Sequence, residues 1–251
     1  MTTYRVLVTG SAGTIGKLVA QELLAHGHYV RGLDLQPNPA IPDSRVGSIV
    51  DAETVERAFD GMDSVIHLAA YPNDADFLSV LLAPNIIGLY HVMEATRRHA
   101  IRRLVLASSI QAVSGLHDCP KPISAAHPPT PRNHYGLTKA YAELQATMYA
   151  HRWNLSILAI RIGWLPRTVQ EVAGMVQRSG APHVYFSHRD AARFFRLAIE
   201  KETVPFTVLF AMSKNALGHF DLETSRAVIG YEPADTFPEG LAFELPEELR
   251  R

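Results

Sequence analysis

The join between the first apolar run and the first helix constrains the fold of this chain more than any other feature. Residues 4–9, Tyr-Arg-Val-Leu-Val-Thr, are β-branched and apolar and read as a buried strand. Gly10, Gly13 and Gly16 follow, with Ser11, Ala12, Thr14 and Ile15 between them, and residues 17–26 have helical character closed by Gly27. Gly10 permits the tight turn, Gly13 lets the backbone approach a pyrophosphate, and Gly16 lets the helix pack closely on the strand. The helix N-terminus, with Thr14 and Ile15 in the turn that leads into it, offers free N–H groups and a partial positive charge to phosphates. This strand, turn and helix read as a dinucleotide-binding unit.

A second strand, 28–34, ends in Asp34, where an acidic residue meets the adenosine ribose hydroxyls in such units. A carboxylate there repels a 2′-phosphate, and the next residues, Leu35 and Gln36, bring no cation to reverse that, so the cofactor expected is NAD rather than NADP. Strand and helix signals then alternate. Strands are expected at 64–70, 104–109, 155–162 and 207–210, and helices at 52–59, 74–100 with a break at Pro84, 134–152, 189–200 and 222–229. Such alternation implies an α/β fold of the Rossmann type, a doubly wound parallel sheet covered on both faces. Ligands in such sheets bind beyond the carboxyl ends of the strands. Those ends carry Leu68, Ala69, Ala70 and Tyr71 after the third strand, Ser109 to Gln111 after the fourth, and Ile162, Gly163 and Trp164 after the fifth.

Composition narrows the function. With 251 residues, 47% hydrophobic and 20% charged, the chain fits one NAD-binding domain over 1–251, its substrate elements drawn mainly from 163–188 and 211–251. A formal net charge of −1 gives no footprint for nucleic acid. Cys119 is the only cysteine and the 12 histidines lack zinc-site spacing, so neither a disulfide nor a metal is expected, and most histidines read as surface or loop residues. No apolar run is long enough for a membrane span, and the opening residues lead straight into the first strand without room for a signal peptide. A cytoplasmic setting is expected.

The candidate chemistry lies at Tyr135 and Lys139, one helical turn apart. Residues i and i+4 share a face, and a cation beside a phenol favours the phenolate, lowering a pKa that is otherwise about 10. The pair can therefore act as a base toward an alcohol. Ser109, 26 residues before Tyr135, can donate a hydrogen bond to the same substrate oxygen, while Ser108 reads as structural. Lys139 has a second task, holding the nicotinamide ribose.

These residues together resemble the short-chain dehydrogenase/reductase superfamily, in its extended, epimerase-like branch. The glycine spacing, His67-Leu68-Ala69-Ala70, the Ser109, Tyr135 and Lys139 set and Asn85 carry the resemblance, which runs over nearly the whole chain. It implies that Asn85 secures its helix and the surroundings of the active-site lysine, that the region of Ser48 and Ile49 meets adenine, and that helices 74–100 and 134–152 pair between subunits of a homo-oligomer. Within the branch the chain is most similar to uronate dehydrogenases, through residues 85–90, 161–163, 186–190, 211–215 and 229–233. Little chain remains after Phe210 for a nucleotide-sugar pocket, so a small free substrate is implied.

The chain also departs from that group. Trp164 stands where a substrate-binding serine is common, Tyr71 where a small or polar residue is, Ile110 and Gln111 follow Ser109 in place of an Asn-His pair, and Ser48 replaces an aspartate. The segment between Gly163 and Phe186 is longer than usual. A uronate carboxylate calls for an arginine, with Arg167 and Arg178 as candidates. Three readings stay open: an NAD-dependent dehydrogenase (giving a lactone from an aldose), a sugar epimerase or dehydratase that retains its cofactor, and a non-catalytic NAD sensor.

Overall fold

In the computed structural model, parallel strand pairing follows from the short apolar runs and the helices between them. The structure describes residues 2–116, 119–120, 122–178, 180–216 and 218–250; Met1, Lys121 of the proline-rich loop and Ser179 of the expected substrate segment lie outside the described residues. Among the described residues seven strands form one sheet: β1 (Arg5–Thr9), β2 (Tyr29–Asp34), β3 (Asp43–Val46), β4 (Ser64–His67), β5 (Arg103–Ser109), β6 (Ile157–Ile162) and β7 (Thr207–Ala211). Their order is β3-β2-β1-β4-β5-β6-β7, and all neighbours are parallel. The helices are α1 (Thr14–Ala25), α2 (Ala52–Phe59), α3 (Leu89–Arg98), α4 (His134–Trp153), α5 (Val169–Gln177), α6 (His188–Glu200) and α7 (Glu223–Ile229).

Strand periodicity splits the apolar residues between two cores. Val6, Val8, Val105 and Ile160 pack with α1 and α6 residues such as Val19, Leu23, Phe194 and Phe195. Leu7, Val65, Leu104 and Leu106 pack with Val55, Phe59, Val92, Met93 and Ala146 of α2, α3 and α4. Both sheet faces are thus covered, which is why the central strands read as apolar at nearly every position. The chain runs outward from β1 to β3 and returns to β4, so the strand order reverses between β1 and β4 and leaves a crevice at their carboxyl ends.

Several expectations need correction. β3 shows no apolar alternation; the Asp43 carboxylate ties this edge strand to the sheet by accepting from the Tyr29 hydroxyl and Arg31, each at 2.6 Å. The third expected strand ends at His67, and residues 68–70 turn out over the crevice. The single helix expected over 74–100 is three pieces: wide turns at Phe77–Leu81 and Ala83–Gly88, then α3. The Leu82 N–H reaches five residues back, to the Phe77 carbonyl. Pro84 lies in this stretch, and a proline has no N–H to continue a regular ladder. α5 was not anticipated, yet Thr168 caps it by accepting the Glu171 N–H at 3.2 Å, a Thr-x-x-Glu start readable from sequence.

Residues 186–190 fasten the C-terminal stretch. Asp190 accepts from the Ser213 hydroxyl at 2.8 Å and from the Asp235 N–H at 3.1 Å, and the Ser187 hydroxyl donates to Asp235 at 2.5 Å. Among the described residues no helix is long and apolar enough to cross a membrane.

Candidate active site

A cleft of 860 Å³ opens over the crevice between β1 and β4, within the range of sites that enclose a small organic ligand, about 300–1,000 Å³. The glycine turn forms its floor. Gly10 has φ +73°, and a Cβ there would stand 2.7 Å from the Ala69 nitrogen; a Cβ at Gly16 would stand 2.1 Å from the Gly10 carbonyl oxygen. Neither position accommodates a side chain, so the backbone of β1, the 68–70 turn and α1 meet in direct contact. α1 opens at Gly13 without a side-chain cap or a first-turn acid. Its positive end is therefore uncompensated on the cleft floor.

Asp34 reaches the same cleft and also has a structural task. Its carboxylate accepts from the Ala12 N–H at 2.9 Å and the Gln36 N–H at 3.2 Å, fixing the glycine turn to the end of β2. Gly13, Thr14, Ile15, Leu35, Ser48, Ile49, Leu68, Ala69, Ala70 and Ile162 all line the cleft as expected, as do Tyr71, Ile110, Gln111, Gly163 and Trp164. Asn85 does not. It is buried behind the wall, accepting from the Tyr71 N–H at 2.8 Å and donating to the Thr138 hydroxyl at 3.1 Å. It therefore fixes the 71 turn against α4, next to Lys139. The contribution expected from 211–251 is likewise indirect: none of its described residues lines the cleft.

Helix α4 carries the reactive pair. Asn133 caps it by accepting the Gly136 N–H at 2.7 Å, and Asp74 accepts the Tyr135 N–H at 3.1 Å. Gly136 allows the close approach of the turn after β5, since a Cβ would stand 2.5 Å from the Gln111 carbonyl oxygen. The Ser109 hydroxyl is close enough to the Tyr135 phenol to pull its pKa down. Lys139 donates to the Ala107 carbonyl at 2.9 Å, and its Nζ lies 5.7 Å from the centre of the Tyr135 ring. Ser109, Tyr135 and Lys139 thus converge on one wall of the cleft. One turn further along α4, buried Glu143 accepts from the Ser108 hydroxyl at 2.6 Å and from Arg161 at 2.9 and 3.0 Å, anchoring the helix to β5 and β6.

The electrostatics correct one expectation. Burial pushes the Tyr135 phenol up, outweighing the Ser109 hydroxyl and the positive charge of Arg167, which pull it down. Burial also pushes Lys139 down to about 8. Sequence spacing places an ammonium beside a phenol, but it does not show that both lie in a poorly solvated wall, where desolvation opposes either charge. His67, below this wall, is buried with its Nδ1 2.7 Å from the Thr9 hydroxyl, and burial together with the Lys139 charge pushes its pKa down to about 3. Not all histidines are therefore surface residues; His28 and His188 are buried as well.

The far end of the cleft comes from the segment after β6. Gly163 is required there, because a Cβ would stand 2.4 Å from the Val184 carbonyl oxygen. Arg167 and Arg178 both line the cleft. Arg167 is held by Glu171 at 2.8 and 3.0 Å, whereas the Arg178 guanidinium lies 5.5 Å from the centre of the Trp164 ring. Asp74 and Asn133 line the cleft without having been anticipated. Asn133 was readable as a helix cap, but Asp74 acts 61 residues from its partner and carries no local signal. Among the described residues no group of three or more His, Cys, Asp or Glu is placed to hold a metal ion.

Comparison with known proteins gives the family and the fold. The model of the NAD dependent epimerase/dehydratase family matches residues 6–165. A uronate dehydrogenase of Pseudomonas syringae pv. tomato is 30% identical, over 92% of this chain and 82% of its own. An L-arabinose 1-dehydrogenase (NAD(P)(+)) of Haloferax volcanii is 32% identical, over 92% of this chain and 96% of its own. A mutant uronate dehydrogenase of Agrobacterium tumefaciens, solved in complex with NAD, superposes with a TM-score of 0.77 at 26% identity, covering 93% of this chain and 86% of that one.

Proposed function

The chain belongs to the NAD-dependent epimerase/dehydratase family, and from that premise we propose that it is an NAD-dependent dehydrogenase oxidising a hydroxyl of a small free sugar or sugar acid. The observation that carries this reading is the convergence of Ser109, Tyr135 and Lys139 on the cleft floored by the glycine turn. The cradle fits NAD: Gly10 and Gly16 leave no room for a side chain, the α1 terminus is uncapped, and the Asp34 carboxylate stands at the end of β2. The turn and Asp34 would hold the pyrophosphate and ribose, and Lys139 the nicotinamide ribose. When bound, NAD supplies the hydride acceptor.

The protein's own groups manage the proton and the position of the substrate. Ser109 donates to the reacting oxygen and orients it. Tyr135 takes the hydroxyl proton as general base. Burial opposes the phenolate, Ser109 and the positive charge of Arg167 pull the other way, and the Lys139 Nζ stands 5.7 Å from the ring centre. Arg178, with no carboxylate bonded to it among the described ion pairs, is the arginine best placed to receive a substrate carboxylate.

The test is NADH formation on adding NAD and sugar acids or free aldoses. Tyr135→Phe lowers turnover by about 10²–10⁴-fold while NADH still binds; turnover near that of the unmutated protein would refute the assignment. Substrate conversion without net NADH would favour an epimerase. A homo-oligomer is part of the same reading. It is supported by the exposed stripe Leu137, Tyr141, Leu144 and Met148, on one face of α4. A mass measured in solution at the value of one chain would remove it.

A further inference from the structure

Two side chains accept hydrogen bonds from the start of α4, and only one of them is the helix's own cap. Asn133 takes the Gly136 N–H at 2.7 Å. Asp74, which arrives from the turn after β4, takes the neighbouring Tyr135 N–H at 3.1 Å through Oδ1. Among the described residues its other oxygen, Oδ2, has no hydrogen-bond partner. Asp74 is exposed, and it lines the cleft together with Tyr135, Gln111 and Asn133. The turn that carries it is held in place. Asn85 accepts the Tyr71 N–H at 2.8 Å, and its Nδ2 donates to the Tyr71 carbonyl at 3.2 Å and to the Thr138 hydroxyl at 3.1 Å. The Thr138 hydroxyl in turn donates to the Tyr135 carbonyl at 2.8 Å. The 71–74 turn is thus fastened to α4 at Thr138 and at Tyr135.

A carboxylate can only accept, and its two oxygens offer about four lone-pair sites. One of them is used here. A carboxylate open to a cleft that receives a polyhydroxylated ligand calls for a hydroxyl donor. The reacting hydroxyl is not that donor, because it meets the phenol tip of Tyr135, whereas Asp74 is bonded to the backbone of the same residue. A substrate carboxylate is not received there either, because like charges repel, and the cleft's arginines belong to the segment after β6. We propose that Asp74 is a specificity-determining residue whose open carboxylate oxygen accepts a hydrogen bond from a substrate hydroxyl other than the one oxidised. This rests on the dehydrogenase reading and deepens it: the substrate carries a second hydroxyl in fixed relation to the first, and a simple alcohol is a poor substitute. The anchor of Asp74 is the backbone of the general base, so the same contact sets the reacting hydroxyl against the Tyr135 phenol. An acceptor held in place beforehand loses little freedom when it binds.

The test compares kcat/KM, with NAD, for D-glucuronate and L-arabinose, each beside its 2-, 3- and 4-deoxy analogues. In the natural protein one position in a series is sensitive, and loss of that hydroxyl costs about 10–100-fold. Asp74→Ala lowers kcat/KM for the parent sugar by a similar factor and leaves the sensitive deoxy analogue within about threefold, so the ratio of the two falls toward one. Asp74→Asn keeps an oxygen for the Tyr135 N–H; it melts with the natural protein and gives an intermediate ratio. Loss of a helix cap alone would slow the parent and every analogue equally and leave the ratio intact. A second arm needs no turnover: binding of the same sugars to the NADH complex, followed by NADH emission, gives the same ratios in Kd. The proposal is overturned if the natural protein discriminates against no deoxy analogue, or if Asp74→Ala leaves the ratio unchanged. Absence of NADH formation from either sugar with the natural protein refutes the dehydrogenase reading instead. The emission titration then decides the role of Asp74 alone, and equal Kd values with and without its carboxylate overturn it.

Discussion

Lys139 is retained at a cost to the fold, and that cost is measurable. Its side chain is buried, donates to the Ala107 carbonyl, and titrates at about 8 in place of 10.5. A base whose folded pKa is depressed binds fewer protons folded than unfolded between those two values, so it destabilises the fold most below about 8. The penalty is released as pH rises toward 10.5. The depression corresponds to about 3 kcal/mol, of which about 2–3 kcal/mol is recovered between pH 7 and pH 10. Lys139→Met removes the penalty and also a hydrogen bond from a charged donor, worth about 1.5–3 kcal/mol. The net change at pH 7 is therefore small, from about zero to 2 kcal/mol in favour of the variant, while turnover is lost. The sharper signature is the slope. Urea unfolding of both proteins at pH 7, 8, 9 and 10 should show the stability difference moving toward the natural protein by about 2–3 kcal/mol across that range. Other groups that titrate there are common to both proteins and cancel. Two parallel stability profiles would refute the reasoning, because they would mean that Lys139 is not desolvated in the folded state.

Three further outcomes follow from the same geometry. Gly16→Ala forces a Cβ into the Gly10 carbonyl, so thermal unfolding should move down and NADH titration should weaken together; an unchanged cofactor affinity would show that the turn does not carry the phosphates. Asp34→Ala removes the carboxylate that repels a 2′-phosphate, and the ratio of kcat/KM for NAD over NADP should fall by more than about tenfold, whereas an unchanged ratio would remove Asp34 from cofactor choice. Glu143→Ala leaves the Arg161 guanidinium buried without its carboxylate and should cost about 3–5 kcal/mol in urea unfolding; a loss near zero would mean that water reaches Arg161.

Local patterns revealed those parts of the site whose partners are near in sequence. The glycine turn was legible because strand, turn and helix are contiguous. Tyr135 and Lys139 were legible because helix periodicity places residues four apart on one face. Edge strand β3 was not, because hydrogen bonds from Tyr29 and Arg31 to Asp43 secure it and no apolar alternation marks it. Asn85 was expected to secure the surroundings of the lysine, but the partners through which it does so, Tyr71 and Thr138, lie 14 and 53 residues away and carry no local signal. Asp74 was invisible for the same reason.

Sequence alone determined the alternating architecture, the phosphate-binding turn and the identity of the reactive side chains, because each depends on periodicity or on steric demands within a few residues. Tertiary structure decided the electrical state of those side chains and the shape of the substrate side. Burial pushes Tyr135 up and Lys139 down, and it depends on what β5, the turn after it and the 163–184 segment place around them. Whether Trp164 is a loose surface ring or part of a wall depends on Met175 of α5 and on Ala181 and Tyr185, which only tertiary packing brings to it.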